Sequence, residues 1–110
     1  MSILTEAEEL IHGDRQEAYS HPKVNFATIM HIWRGILKAK AYTLYTQDQI
    51  RYEDLKGAYA FIEAMDADDV AMLMIGMKMG REVGNHKRDN LVDIAGYAGT
   101  IEMLHNEEEV

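Results

Sequence analysis

The chain predicts an all-α domain, a bundle of four to five helices completed by self-association. Three observations predict it. Its 110 residues contain one proline, Pro22, so nothing interrupts long helices. Apolar residues recur at three-and-four spacing over long segments, which is the period of a helix face. No segment shows strand alternation, internal repeats or a low-complexity linker. With 47% hydrophobic and 27% charged residues the chain has the means to bury a core. Its length fits one domain spanning residues 1–110.

The elements follow in order. Thr5-Glu6-Ala7-Glu8 has the capping-box pattern, and Leu4, Ala7, Glu8 and Ile11 keep a weak helical period. A short first helix is expected up to about His12, stopped at Gly13. Residues 14–25 are polar, contain His21-Pro22, and read as a helical turn followed by a loop. Asn25 is the expected cap of a second helix, whose apolar positions are Phe26, Ile29, Met30, Trp33, Ile36 and Leu37. That helix is expected to run to about Tyr45. A loop and a modest helix over 53–64 follow. Asp66 caps a strong helix over 67–83, with Asp69 at the favourable N3 position and basic residues in the last turn. Gly84-Asn85 is the expected left-handed stop. A final helix over 88–104 carries Leu91, Val92, Ile94, Ala95, Ala98, Ile101 and Leu104, and the tail Glu107-Glu108-Glu109 is expected to fray.

Charge and cysteine usage exclude several functions. The net charge of −8 repels phosphate backbones and anionic lipid, so neither nucleic acid nor membrane is an expected partner. The absence of cysteine excludes disulfides, thiolate zinc sites and cysteine nucleophiles. Residues 1–10 do not form a signal peptide, and the apolar run near 70–79 is too short to span a bilayer. A cytoplasmic protein is expected.

The chemistry-bearing residues sit on the last two helices. Asp93 stands inside the apolar run Leu91-Val92-Asp93-Ile94-Ala95, and at about 100° per residue it shares a stripe with Asp89 and Tyr97. A carboxylate so close to the packed face needs a cation, a metal or several donors. The short loop over 84–87 makes the two helices an antiparallel hairpin, which brings Lys78 and Glu82 near Asp89, Asn90 and Asp93. Glu82, Asp89 and Asp93 offer an oxygen-rich site suited to Mg²⁺ or Mn²⁺. Lys78 and Arg81 beside it suit phosphate. Each residue also fits a structural role: Lys78–Glu82 as a surface pair, Asp89 as a helix-start carboxylate, Asp93 as an ion pair with Lys78 or Arg81.

The five histidines lack the spacing of a helical zinc site, and Trp33 is better explained by core packing than by base stacking. Arg15, Tyr19, His21 and Asn25 form a polar segment able to fold over a ligand. No glycine-rich phosphate loop and no nucleophile elbow occur.

Two segments, Asp68-Asp69-Val70-Ala71 continuing to Lys78 and Arg81-Glu82, and Asp89-Asn90-Leu91-Val92-Asp93-Ile94-Ala95-Gly96-Tyr97, resemble a small domain family of phages and prophages. Arg15, Tyr19-Ser20-His21-Pro22 and Asn25-Phe26 resemble its other signature. The wider likeness is to the MazG-like all-α nucleoside triphosphate pyrophosphohydrolases, helical oligomers that hold Mg²⁺ through a Glu-x-x-Glu helix and a following Glu-x-x-Asp helix. The resemblance implies that Asn90-Leu91-Val92-Asp93 takes the second place. Asp66-Ala67-Asp68-Asp69 matches the first in spacing but not in identity, with Lys78–Glu82 as its rival. A similar Val-Asp-Ile-Ala-Gly-Tyr segment occurs in a phage-encoded deoxynucleotide kinase. Residues 41–65 look like an insertion that covers or reshapes the pocket.

The expected activity is therefore Mg²⁺-dependent (or Mn²⁺-dependent) hydrolysis of a (deoxy)nucleoside triphosphate to monophosphate and pyrophosphate. Asp93, Glu82 and Lys78 are the expected catalytic residues, and Asp69, Glu82, Asp89 and Asp93 the metal ligands. Lys78, Arg81, Arg15, Tyr19, His21, Asn25, Asn90 and Tyr97 would bind the nucleotide. Alternatives are a phage nucleotide-binding protein without turnover and an atypical deoxynucleotide kinase. A single helical hairpin leaves apolar faces uncovered, so a homodimer or homotetramer is expected, in a bacterial host's cytoplasm if a phage encodes it.

Overall fold

A computed structural model of the chain describes residues 1–12 and 21–106, and among these it is all-α, with five helices. They are α1 (Ile3–His12), α2 (Pro22–Thr46), α3 (Tyr52–Ala64), α4 (Ala67–Gly84) and α5 (Arg88–Leu104). Arg15, Tyr19, the expected helical turn before residue 21 and the acidic tail lie outside the described residues.

Local chemistry sets each boundary. α1 starts earlier than the Thr5–Glu8 pattern implies, because the Ser2 hydroxyl accepts from the Thr5 N–H at 3.1 Å and acts as the cap. α2 also starts earlier than expected. Its cap is His21, not Asn25: His21 Nδ1 accepts from the Lys23 N–H at 3.2 Å. Pro22 makes this possible, since its fixed φ suits the first helical position and it has no N–H to leave unsatisfied. α2 ends where Asp48 adopts φ 60°, a left-handed conformation that aspartate tolerates better than most residues. The start of α4 is as expected. Asp66 Oδ1 accepts from the Asp68 N–H at 3.1 Å, and Asp69 Oδ2 accepts from the Asp66 N–H at 2.9 Å. The end of α4 is not. No residue there is left-handed, and Asn85 is extended at φ −165°. The chain turns instead on the Glu82 side chain, described below.

α4 and α5 form the antiparallel centre. Val70 and Ala71 are fully buried and pack with Phe26 and Met30 of α2 and Tyr97 of α5, the Phe26 and Tyr97 rings standing 6.5 Å apart. Burying side chains the size of Met30 and Val70 contributes about 1.5–3 kcal/mol each. Trp33 packs half-buried against this core, as its spacing predicts. α1 lies on the far side of α5, with Ala7 and Met103 buried. Arg88, at the start of α5, pairs with Glu6 and donates to the Met1 carbonyl at 2.7 Å.

The segment 41–65 is a projecting arm. α2 continues about 37 Å from end to end, and α3 folds back on its second half around Ala41, Leu55 and Ile62. Lys38 pairs with Glu63, and Arg34 donates to the carbonyls of Ile62 and Met65. The chain measures 54 × 37 × 20 Å. Among the described residues no helix is long and apolar enough to cross a membrane.

Candidate functional site

The hairpin of α4 and α5 brings together four of the expected site residues. Lys78 and Glu82 lie one turn apart on α4, and Asn90 and Asp93 lie one turn apart on α5. Lys78 Nζ stands 2.8 Å from Asp93 Oδ2, and both side chains are largely covered, at 15% and 23% exposure. Of the three ways to satisfy Asp93, a cation, a metal or several donors, the folded chain supplies the cation. Its partner is Lys78 and not Arg81, which is exposed.

Glu82 is the hinge pin of the turn. Its Oε1 accepts from the Lys87 N–H at 3.0 Å and from Asn90 Nδ2 at 3.2 Å, and its Oε2 meets His86 Nδ1. These donors favour the ionised carboxylate, so its pKa falls from 4.5 to about 2, with His86 the largest cause and the Lys87 amide the next. Asn90 is itself buried at 6% exposure, its amide committed to Glu82. His86 did not stand out among the histidines, yet its position four residues after Glu82 was the readable signal.

The other expected residues stand elsewhere. Asp89 is exposed at the start of α5. Asp69 caps α4 at the opposite end from Glu82, about 20 Å away along the helix. Tyr97 is buried against Phe26. His21 caps α2, and Lys23 beside it lines a shallow depression with Asp66, Asp68, Leu104 and His105, again at the Asp69 end. There His105 Nε2 lies 2.5 Å from Asp68 Oδ2. Because His21 Nδ1 accepts, its Nε2 carries the hydrogen, and that atom is buried with no hydrogen-bond partner. Asn25 is half-buried one turn further on.

One chain's donors do not fit a protein-held Mg²⁺ or Mn²⁺. Hard cations of this kind take about six oxygens, with carboxylates turned inward. Here both Glu82 oxygens already accept hydrogen bonds and Asp93 is paired with Lys78. Among the described residues no group of three or more His, Asp or Glu side chains is placed to hold a metal ion. What the arrangement offers is a covered ammonium held by one carboxylate, beside an anionic turn fixed by hydrogen bonds to Glu82.

Comparison with known proteins gives relatives in two mycobacteriophages. The chain is 36% identical over 107 residues to the "Gene 55 protein" of Mycobacterium phage D29, covering 96% of this chain and 55% of the relative. It is 34% identical over 110 residues to the "Gene 55 protein" of Mycobacterium phage L5, covering 99% and 56%. The chain thus spans just over half the length of these relatives. No solved structure matches. The family described as "Domain of unknown function (DUF6378)" matches residues 2–105, so this chain belongs to the DUF6378 family.

Proposed function

We propose that the domain hydrolyses a (deoxy)nucleoside triphosphate between its α- and β-phosphates, releasing monophosphate and pyrophosphate. The observation that carries this reading is the covered Lys78–Asp93 pair beside Glu82 and Asn90. An ammonium held by a single carboxylate can exchange it for a phosphate oxygen, and the exchange frees the carboxylate as a base. The nucleotide arrives as its Mg²⁺ or Mn²⁺ complex, so the metal belongs to the substrate. In the reaction a water oxygen bonds to the α-phosphorus and its proton passes to Asp93. The bond from the α-phosphorus to the bridging oxygen breaks, and pyrophosphate leaves with that electron pair. Lys78 and Arg81 face the charge that develops on it. Glu82 and Asn90 keep the turn, and with it the Lys78–Asp93 geometry, in place. The resemblance to MazG-like enzymes supports the same reaction class.

A second reading is favoured by one observation: Glu82 is saturated by its own neighbours, which suits a protein that binds nucleotide without turnover. A single experiment separates the two. The protein is incubated with ribo- and deoxynucleoside triphosphates in Mg²⁺ beside an Asp93→Asn variant, and the products are resolved by anion exchange. Monophosphate and pyrophosphate, reduced at least about 100-fold in the variant, is the expected result. Nucleotide recovered bound and intact selects the binding protein. Neither turnover nor binding by a folded sample overturns both, and a parallel incubation with monophosphate and ATP that yields a diphosphate identifies a kinase instead.

A further inference from the structure

A helix with apolar stripes on two sides needs cover on both, and α4 has such stripes with only one of them covered. Val70 and Ala71 face the core, while Met72 (60% exposed), Leu73 (52%), Met79 (57%) and Val83 (89%) face outward. These four share their side of α4 with Gly76 and Gly80, where an added Cβ would meet nothing within 4 Å. At the N-terminal end of the stripe, Phe61, Ala64 and Met65 of the arm extend it into a groove with Met72 and Leu73.

We infer that this face binds a second copy of the chain, with the two α4 helices antiparallel across a two-fold axis near Gly76 and Gly80. Three observations select that occupant. The first is area. The chain exposes 7438 Å², against about 6,200 Å² for a compact monomer of its mass, and the excess of about 1,200 Å², which the projecting arm shares with this face, leaves room for the roughly 800 Å² that each partner buries in a standard interface. The second is self-complementarity. Large side chains (Met72, Leu73, Met79, Val83) flank two glycines on one helix, so an antiparallel copy sets its knobs against the other's gaps. The third is charge. Asp66 and Asp69 lie at one end of the stripe and the exposed Lys87 just past the other, so reversing the second copy brings opposite charges and opposite helix ends together. The charged residues between Asp69 and Lys87 lie off the stripe: Lys78 turns inward to Asp93, Glu82 turns to the Lys87 N–H and Asn90, and Arg81 stands about 140° round the helix from Gly76. The inference stands independently of the nucleotide reading.

The test is the mass of the chain in solution, by gel filtration with light scattering from 1 to 100 µM. A species of twice 12.6 kDa is expected, reverting to monomer in a Met72→Glu/Met79→Glu variant that keeps its helical circular dichroism. Ile36→Glu, at an exposed apolar position of α2, should leave the dimer intact. Because the chain has no cysteine, Gly76→Cys and Gly80→Cys give single-thiol proteins, and these should cross-link to dimers under mild oxidation while Gly57→Cys, on the arm, does not. This arm holds even if the glutamate variant fails to fold. A wild-type monomer throughout the range, or a dimer that none of these substitutions touches, overturns the inference.

Discussion

Glu82 shows how one side chain can set a turn. It replaces the left-handed residue that Gly84-Asn85 led one to expect, because three donors converge on its carboxylate and hold the chain at Lys87 and Asn90. Its pKa, lowered to about 2 from an ordinary 4.5, makes this contribution pH-dependent. The ionised form is favoured by folding, so the contribution is complete above about pH 4.5 and is lost as the pH falls towards 2. Thermal melts of the wild type should therefore lose more stability between pH 5 and pH 2.5 than those of Glu82→Gln, which keeps an oxygen acceptor but not the charge. Equal losses in the two proteins would remove the linkage. The Lys78–Asp93 pair supports a second expectation. Asp93→Asn leaves a covered ammonium without its counter-charge and should cost about 1–3 kcal/mol. A Lys78→Met/Asp93→Leu double substitution should recover most of that loss, because a packed apolar pair carries no desolvation penalty. A double variant no more stable than Asp93→Asn would mean that the attraction within the pair outweighs its desolvation penalty.

Among the elements, close approach is decided at α5 against α1. Gly96 and Gly99 lie one turn apart, but only at Gly99 would a Cβ collide, 2.6 Å from Ile11 Cδ1. Gly96→Ala should stabilise the domain by about 0.5–1 kcal/mol through helix propensity alone. Gly99→Ala should forfeit that gain, and Ile11→Val, which removes the obstructing Cδ1, should restore it. Melting the two alanine variants and the Gly99→Ala/Ile11→Val double reads this directly. The helices themselves were largely legible in the residues. The Asp66–Asp69 box placed α4, and the apolar period placed α5. The misreadings have local causes. Pro22 moved the α2 cap back to His21, and Ser2 outranked Thr5 as the cap of α1. The left-handed stop expected at Gly84-Asn85 is absent, because the Glu82 side chain makes that turn. At the site, the helical wheel showed that Asp93 needed a partner. The identity of that partner depended on hairpin register, and Glu82 sets that register through a side chain folded back onto the next helix. Asp69 was a good match by spacing, yet capping employs it at the far end of α4.

At the scale of the molecule, the chain is extended, with a radius of gyration of 16.9 Å where a compact chain of this length would have about 13 Å. The excess comes in part from the arm, whose α3 packs principally on α2 and hardly on α4 or α5. That division was the hardest feature to read, because the apolar residues of 41–65 serve a two-helix hairpin and give no broad stripe on either helix. Stability should be divided in the same way, since a hairpin with few buried side chains opens more easily than the three-helix centre. What ties the arm down is Arg34. From α2 it donates to the carbonyls of Ile62 and Met65, which satisfies acceptors that the end of α3 leaves open, and α3 has no basic residue of its own in its last turn. Native-state hydrogen exchange should show α3 amides opening well before those of α4 and α5. Arg34→Ala should accelerate exchange across α3 by about tenfold or more, the equivalent of about 1.4 kcal/mol, while leaving α4 and α5 within about twofold of wild type. Acceleration spread evenly over all five helices would show instead that arm and centre unfold as one cooperative unit.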